Sequence, residues 1–241
     1  MTAPVELALT ASVVVAGSFL QGVTGFAFGM VTMALLPFLM TVKEATPLVA
    51  VLALPNAASI LWQTRQGSDL RKGGGLLAGL VFGVPLGVIF IAKMNNTVVE
   101  KTLAVVLILV ALQGLLFQPK IGAGVRPLWG PIAGFLGGMI GGAFNIGGAP
   151  IVVYVYRQAW SKETIIAVMQ LVFLISILYR LMFYALTGVL SATILLKCLL
   201  LLPSVIIGSS LGVRCQRKID VARLRVGVNV ILIVLGVLLL L

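Results

Sequence analysis

The chain has no histidine, two cysteines and only six acidic residues among 241. Without histidine there is no imidazole metal ligand, no histidine-ligated haem and no imidazole proton relay. Cys198 and Cys215 lack CxxC spacing, which argues against structural zinc; both read as small hydrophobes, Cys198 most clearly. Charge of either sign is scarce, at 10% of residues, where a soluble domain carries roughly 25%. There is no Gly-Lys-Ser/Thr phosphate loop, no metal-ligand cluster and no carboxylate pair at helical spacing. An enzyme and a bound cofactor are therefore not expected, and an ATP-driven mechanism needs a separate subunit. Glu6, Glu44, Asp69, Glu100, Glu163 and Asp220 all fall in loops or at the ends of apolar runs, which disfavours a carboxylate-lined cation pathway.

What the chain does have is apolar length. Hydrophobic residues make up 61%, and the mean hydropathy is +1.20. Runs of about 20 apolar residues, at about 1.5 Å each, match the ~30 Å hydrocarbon layer of a bilayer. Full spans are expected at 46–64, 74–92, 98–117, 163–186, 192–212 and 222–241. Met1 to Glu6 has no basic stretch, and the apolar run beyond it is too long for a signal peptide, so retained membrane structure is expected. The net charge of +11 is spread through short loops and makes no stripe for a phosphate backbone, so no nucleic-acid partner is expected.

Two apolar segments, 5–40 and 127–156, are long for one crossing and short for two. Each carries a glycine-rich interruption: Gln21-Gly22-Val23-Thr24-Gly25 in the first, Gly137 to Gly142 and Asn145-Ile146-Gly147-Gly148-Ala149-Pro150 in the second. Glycine permits sharp turns and close approach, Pro150 cannot donate a helical hydrogen bond, and irregular backbone at this depth needs protein or a water-filled cavity around it. Both segments are expected to be helical hairpins that enter the membrane and turn back. With hairpins, Arg65, Arg71, Lys72, Lys120, Arg126, Arg157, Lys162, Arg214, Arg217, Lys218, Arg223 and Arg225 share one face, against Lys43, Lys93 and Lys101 on the other. That asymmetry marks the first face as cytoplasmic and both termini as extracytoplasmic.

The chain also repeats itself. Gly22, Gly25, Ala27 and Phe28 recur as Gly138, Gly141, Ala143 and Phe144; Ser59-Ile60-Leu61-Trp62 recurs as Ser176-Ile177-Leu178-Tyr179; Gly83-x-x-Leu86-Gly87 recurs as Gly208-x-x-Leu211-Gly212. The expected fold is an all-α polytopic membrane protein of two inverted repeats, 1–118 and 119–241. Each is a broken-helix hairpin followed by three transmembrane helices, a plan that recurs in transporters.

The hairpin tips are the candidate site, because helix N-termini present unpaired N–H groups and a positive dipole end to an anion. Gln21, Gly22, Thr24, Gly25, Asn145, Gly147 and Gly148 are expected to line it; the alternative is that the glycines serve helix packing and the polar groups bond across helices. Asn56 and Gln170 lie inside spans, and either contacts solute or bonds a neighbouring helix. Arg180 is deep in a span with no acidic residue near it in depth, so it meets an anionic solute or snorkels to an interface. Lys197, near its span end, is expected to snorkel. Trp62, Trp129 and Trp160 sit near span ends as interfacial anchors.

With these residues in place, the chain resembles the sulfite exporter TauE/SafE family of membrane permeases over about 5–240. The likeness rests on Gly22-Val-Thr-Gly25-Phe-Ala-Phe-Gly29 and on Gly134-Phe-Leu-Gly-Gly138-Met-Ile-Gly-Gly142-Ala-Phe-Asn145-Ile-Gly-Gly-Ala-Pro150, with Pro37 and Pro150 as the family's motif prolines. The resemblance implies a bacterial cytoplasmic-membrane protein that moves small anions such as sulfite, sulfoacetate, thiosulfate or other organic anions. Many members carry three adjacent glycines where this chain has Gly25-Phe26-Ala27 and Gly142-Ala143-Phe144, which leaves the substrate open. The resulting expectation is a secondary transporter with a small anionic solute and membrane lipid as partners, working by alternating access. Proton coupling is expected only from the lack of a nucleotide site, and the oligomeric state is left open. A passive channel and a non-transporting assembly subunit are the alternatives.

Overall fold

The computed structural model describes residues 3–64, 70–116, 124, 126, 128–216 and 219–241. Arg65, Asp69, Lys120, Arg217 and Lys218, and the side chains of Trp62 and Lys162, lie outside the described residues. The described chain is helical throughout: α1 Ala3–Thr24, α2 Phe28–Leu35 with a 3-10 turn at Leu36–Phe38, α3 Val42–Thr64, α4 Leu70–Lys93, α5 Asn96–Leu116, α6 Trp129–Phe144, α7 Gly148–Tyr156, α8 Lys162–Leu186, α9 Ala192–Cys215 and α10 Val221–Leu240.

Six helices among the described residues are long and apolar enough to cross a membrane, at Pro4–Thr24, Arg71–Lys93, Asn96–Leu116, Glu163–Leu186, Ala192–Cys215 and Arg223–Leu240. The protein is an all-α polytopic membrane protein. Five of the six coincide with expected spans. The sixth is α1, which runs unbroken for 22 residues, about 33 Å at 1.5 Å per residue. The first break therefore follows a full-length helix, not a half-length leg. The expected span at 46–64 lies in α3, equally long but more polar, with Lys43, Glu44, Thr46 and Asn56 and two internal prolines, Pro47 and Pro55. Leu196, Leu199, Leu200, Ile206 and Ile207 of α9 are exposed, as expected where hydrocarbon is the solvent.

Helices do not associate in lipid to escape water, so close packing must hold them together, and small residues make it possible. Along α4, Gly79, Gly83 and Gly87 face α6 so closely that a Cβ at any of them would sit on the carbonyl oxygens of Pro131, Phe135 and Met139. From the other side, Gly134 and Gly142 of α6 meet the carbonyls of Leu76 and Val84. The same device joins α1 to α9, where Gly22 lies against Ser209 and Gly212, and Gly208 against Val15 and Ser18. Further pairings join α5 to α10 and α3 to α8. In α5–α10, Gly114 leaves room for the amide of Asn229.

The two breaks have different chemistry. After α1, Gly25 adopts φ +89°, a conformation open to glycine, and its N–H donates to the Gln21 carbonyl at 2.7 Å. After α6, Asn145 takes the left-handed conformation at φ 60°, a position glycine usually fills. Its side chain compensates, because Nδ2 donates to the Thr46 carbonyl at 2.8 Å. Beyond each break the chain lies back on the helix it left. Gly17 of α1 abuts Phe28 and Thr32, Gly137 of α6 abuts Ile151, and the Gly124 N–H donates to the Arg157 carbonyl at 3.1 Å.

Candidate functional site

The two breaks meet. Gly29, in the first turn of α2, lies directly against the Asn145 carbonyl, with no space for a side chain. Beside this contact is a cavity of ≈ 50 Å³. Its walls include Ala53 and Ala57 of α3 and Phe173, Ser176 and Ile177 of α8, all near the middle of those helices.

Both short helices start at this cavity. The first N–H of α2, that of Phe28, donates to Gln21 Oε1 at 3.1 Å. Helix α7 starts at Gly148 after Gly147, and no side chain caps it. Gly147 is held tightly, since a Cβ there would strike the Gly137 carbonyl and stand 2.9 Å from Gly141 Cα. Unsatisfied N–H groups and the positive end of the helix dipole favour an anion at such places.

Arg180 supplies a full positive charge. It is 6% exposed, lines the cavity, and donates from Nη1 to the Gly141 carbonyl at 2.7 Å. One turn on, the Tyr184 hydroxyl donates to the Gly142 carbonyl. Both carbonyls belong to the last turn of α6, where the dipole is negative, and the Gly141 carbonyl also accepts the Asn145 N–H at 3.0 Å. The guanidinium is thus supported from behind by a helix C-terminus while its Nε finds no partner among the described residues. Arg180 takes part in neither ion pair found among the described residues. A centrally buried arginine costs about 2.5–3.5 kcal/mol on insertion scales, and an ionisable residue at such depth marks a functional site by default. Among the described residues there is no group of His, Cys, Asp and Glu able to hold a metal ion.

The model of the family described as sulfite exporter TauE/SafE matches residues 9–239. The chain belongs to that family. A curated relative, the "Probable sulfite/organosulfonate exporter TauE" of Cupriavidus necator, is 27% identical over 212 residues, covering 83% of this chain and 80% of the relative. No solved structure matches. This TauE/SafE-family protein is a multi-pass transporter of small anions in the cytoplasmic membrane.

The sequence-derived candidates divide in this TauE/SafE-family structure. Gln21, Asn145, Gly147, Gly148 and Arg180 line one cavity. Gly22 instead packs against α9, Thr24 returns its hydroxyl to the Leu20 carbonyl at 2.7 Å, and Gly25 forms the break. Asn56 Nδ2 donates to Ser18 Oγ at 3.4 Å, and Gln170 Nε2 donates to the Gly25 carbonyl at 2.7 Å. Both amides join helices, and neither borders the cavity. Lys197 pairs with Glu6 at 3.1 Å. Trp129 is exposed at the start of α6, and Trp160 lies 5.8 Å beneath the Lys72 ammonium.

Sequence reasoning passed over Phe173, Ser176 and Ile177. They stand seven, four and three residues before Arg180, which puts them on its face of the helix. Extending a helical face from the one buried charge finds them. Ala53 and Ala57 carry no such signal.

Proposed function

We propose that the protein is a secondary transporter that carries a small oxyanion, with sulfite and short organosulfonates as the first candidates, through the Arg180 cavity by alternating access. The observation that carries this reading is the unpaired Arg180 guanidinium beside the starts of two short helices. A tetrahedral or pyramidal oxyanion offers several acceptor oxygens to such a donor set, and charge-assisted hydrogen bonds are the strong ones. The printed name of the Cupriavidus necator relative supports the choice of substrates. Among the described residues that line the cavity there is no aspartate or glutamate, which favours an anion over a cation.

The transport cycle in this reading rests on two inverted repeats, 1–118 and 119–241. Support comes from reciprocal packing: α4 of the first half holds α6 of the second, and α9 of the second holds α1 of the first. In such folds broken helices meet at a site near the membrane midplane, and rocking one repeat against the other exposes it alternately. The two broken segments act as re-entrant hairpins. The end bearing Arg126 and Arg157 faces the cytoplasm, and both termini lie outside. A proton gradient is the proposed energy source.

The test is uptake of labelled sulfite, sulfoacetate, thiosulfate and small carboxylates into proteoliposomes, with and without an imposed proton gradient. Saturable uptake of a sulfur oxyanion, raised by the gradient and lost in Arg180→Gln, is the expected result. Absence of uptake for every anion with folded protein in the membrane contradicts the reading.

A further inference from the structure

A second cavity, ≈ 40 Å³, adjoins the central one at Phe26, which borders both. Its walls come from the end of α1, the break after it, α2, α5, α7 and α10, and most are apolar. Thr24, Gln113, Arg225 and Asn229 break that pattern, and the Thr24 hydroxyl is spent on the Leu20 carbonyl. Asn229 of α10 is 5% exposed and lines the cavity; its Nδ2 has no hydrogen-bond partner among the described residues. An amide N–H₂ left bare in an apolar wall is costly, so a ligand acceptor is the natural partner. Arg225, one turn earlier on the same helix, also lines the cavity. Its guanidinium stands 5.8 Å from the centre of the Phe26 ring, and it joins neither ion pair found among the described residues.

Gln113 extends the series outward. It borders the second cavity and also an open hollow of ≈ 620 Å³ lined by Arg126 and Arg157. Its Nε2 reaches the Ala149 carbonyl at 3.5 Å. From the outside inward, the hollow with Arg126 and Arg157 adjoins the Arg225–Asn229 cavity across Gln113. That cavity in turn adjoins the Arg180 cavity across Phe26.

We propose that Arg225 and Asn229 form a second anion station, through which a small oxyanion passes between the central cavity and the arginine-rich end, with Phe26 as the partition. The proposal extends the reading of the central cavity as an anion site. Occupancy and opening are linked through one contact. A cation over an aromatic face gains less than a charge-assisted hydrogen bond to an oxyanion. An arriving anion draws the guanidinium away from Phe26 and frees the ring. The apolar remainder of the wall keeps binding weak enough for release.

The experiment uses thiol reagents of opposite charge on solubilised protein with Cys198→Ser and Cys215→Ser. A cysteine is introduced by Asn229→Cys or, should that variant not remain monodisperse, by Val228→Cys in the same wall. The expected result is modification by the anionic sulfonatoethyl methanethiosulfonate on the order of tenfold faster than by its trimethylammonium counterpart, the scale of local electrostatic focusing. Adding Arg225→Gln removes the preference. In an Ile177→Cys variant, Phe26→Ala speeds anionic modification of the central cavity. Equal rates for the two reagents, no modification, or a preference that survives Arg225→Gln overturns the proposal. None of these readouts requires transport or Arg180, so a failed station and a failed central site give different patterns.

Discussion

The Arg180 guanidinium donates to the Gly141 carbonyl at 2.7 Å, which fixes a buried cation at the C-terminal end of α6 and beside the start of α7. One side of the guanidinium is anchored, and Nε is left without a partner among the described residues. Arg180→Gln retains an amide donor for Gly141 but removes the charge. The predicted effect is an anion affinity weakened roughly 10- to 100-fold, from the ~1.5–3 kcal/mol of a hydrogen bond to a charged group. Equilibrium binding of labelled sulfite to purified protein measures it, with unchanged thermal unfolding as the control.

Gln21 offers a separate test of the sign of the site. Its Oε1 accepts the Phe28 N–H at 3.1 Å, and a carboxylate oxygen accepts the same bond. Gln21→Glu is therefore predicted to preserve stability while placing a negative charge at the cavity wall, lowering saturable anion uptake at least tenfold on the scale of a like charge within ~4–6 Å. Uptake in Gln21→Glu equal to wild type argues against an anion in this cavity.

Asn145 carries both a backbone conformation and a hydrogen bond. Asn145→Gly keeps the left-handed conformation and loses only the bond to Thr46, for about 0.5–1.5 kcal/mol. Asn145→Ala adds a conformational penalty of ~1–2 kcal/mol. Thermal unfolding in detergent is predicted to rank wild type above Gly above Ala.

The glycine faces of α4 distinguish packing from helix propensity. Gly83→Ala pushes a methyl into the Phe135 carbonyl and is predicted to destabilise by ~1–3 kcal/mol. Gly74→Ala meets nothing within 4 Å and is predicted to be neutral or stabilising by up to ~1 kcal/mol. Unfolding midpoints of the two variants check the contrast.

The long spans are legible in the sequence because hydrocarbon thickness imposes length on apolar runs, and the breaks are legible because glycine clusters interrupt those runs. Arg180, Gln21 and Asn145 are legible for a related reason, since a polar group at this depth must be accounted for. Polarity alone does not tell which way a side chain faces. Asn56 and Gln170 are as polar and as buried, and in the structure their amides bond Ser18 of α1 and Gly25 of the first break. The glycines of α4 recur every fourth residue, 75, 79, 83 and 87, a spacing that places them on one helix face, but their partner α6 emerges only from the packed structure. Ala53, Ala57 and Phe173 line the cavity with apolar surface that no sequence pattern separates from ordinary packing.

The most direct test of a carrier with a central anion site is counterflow. Proteoliposomes are loaded with the unlabelled anion that gives the highest saturable uptake, and entry of the same labelled anion is followed. The account predicts that internal anion accelerates entry of the label, and that Arg180→Gln abolishes the acceleration while the protein stays folded. Label entry that is indifferent to the internal anion, or acceleration that persists in Arg180→Gln, contradicts it.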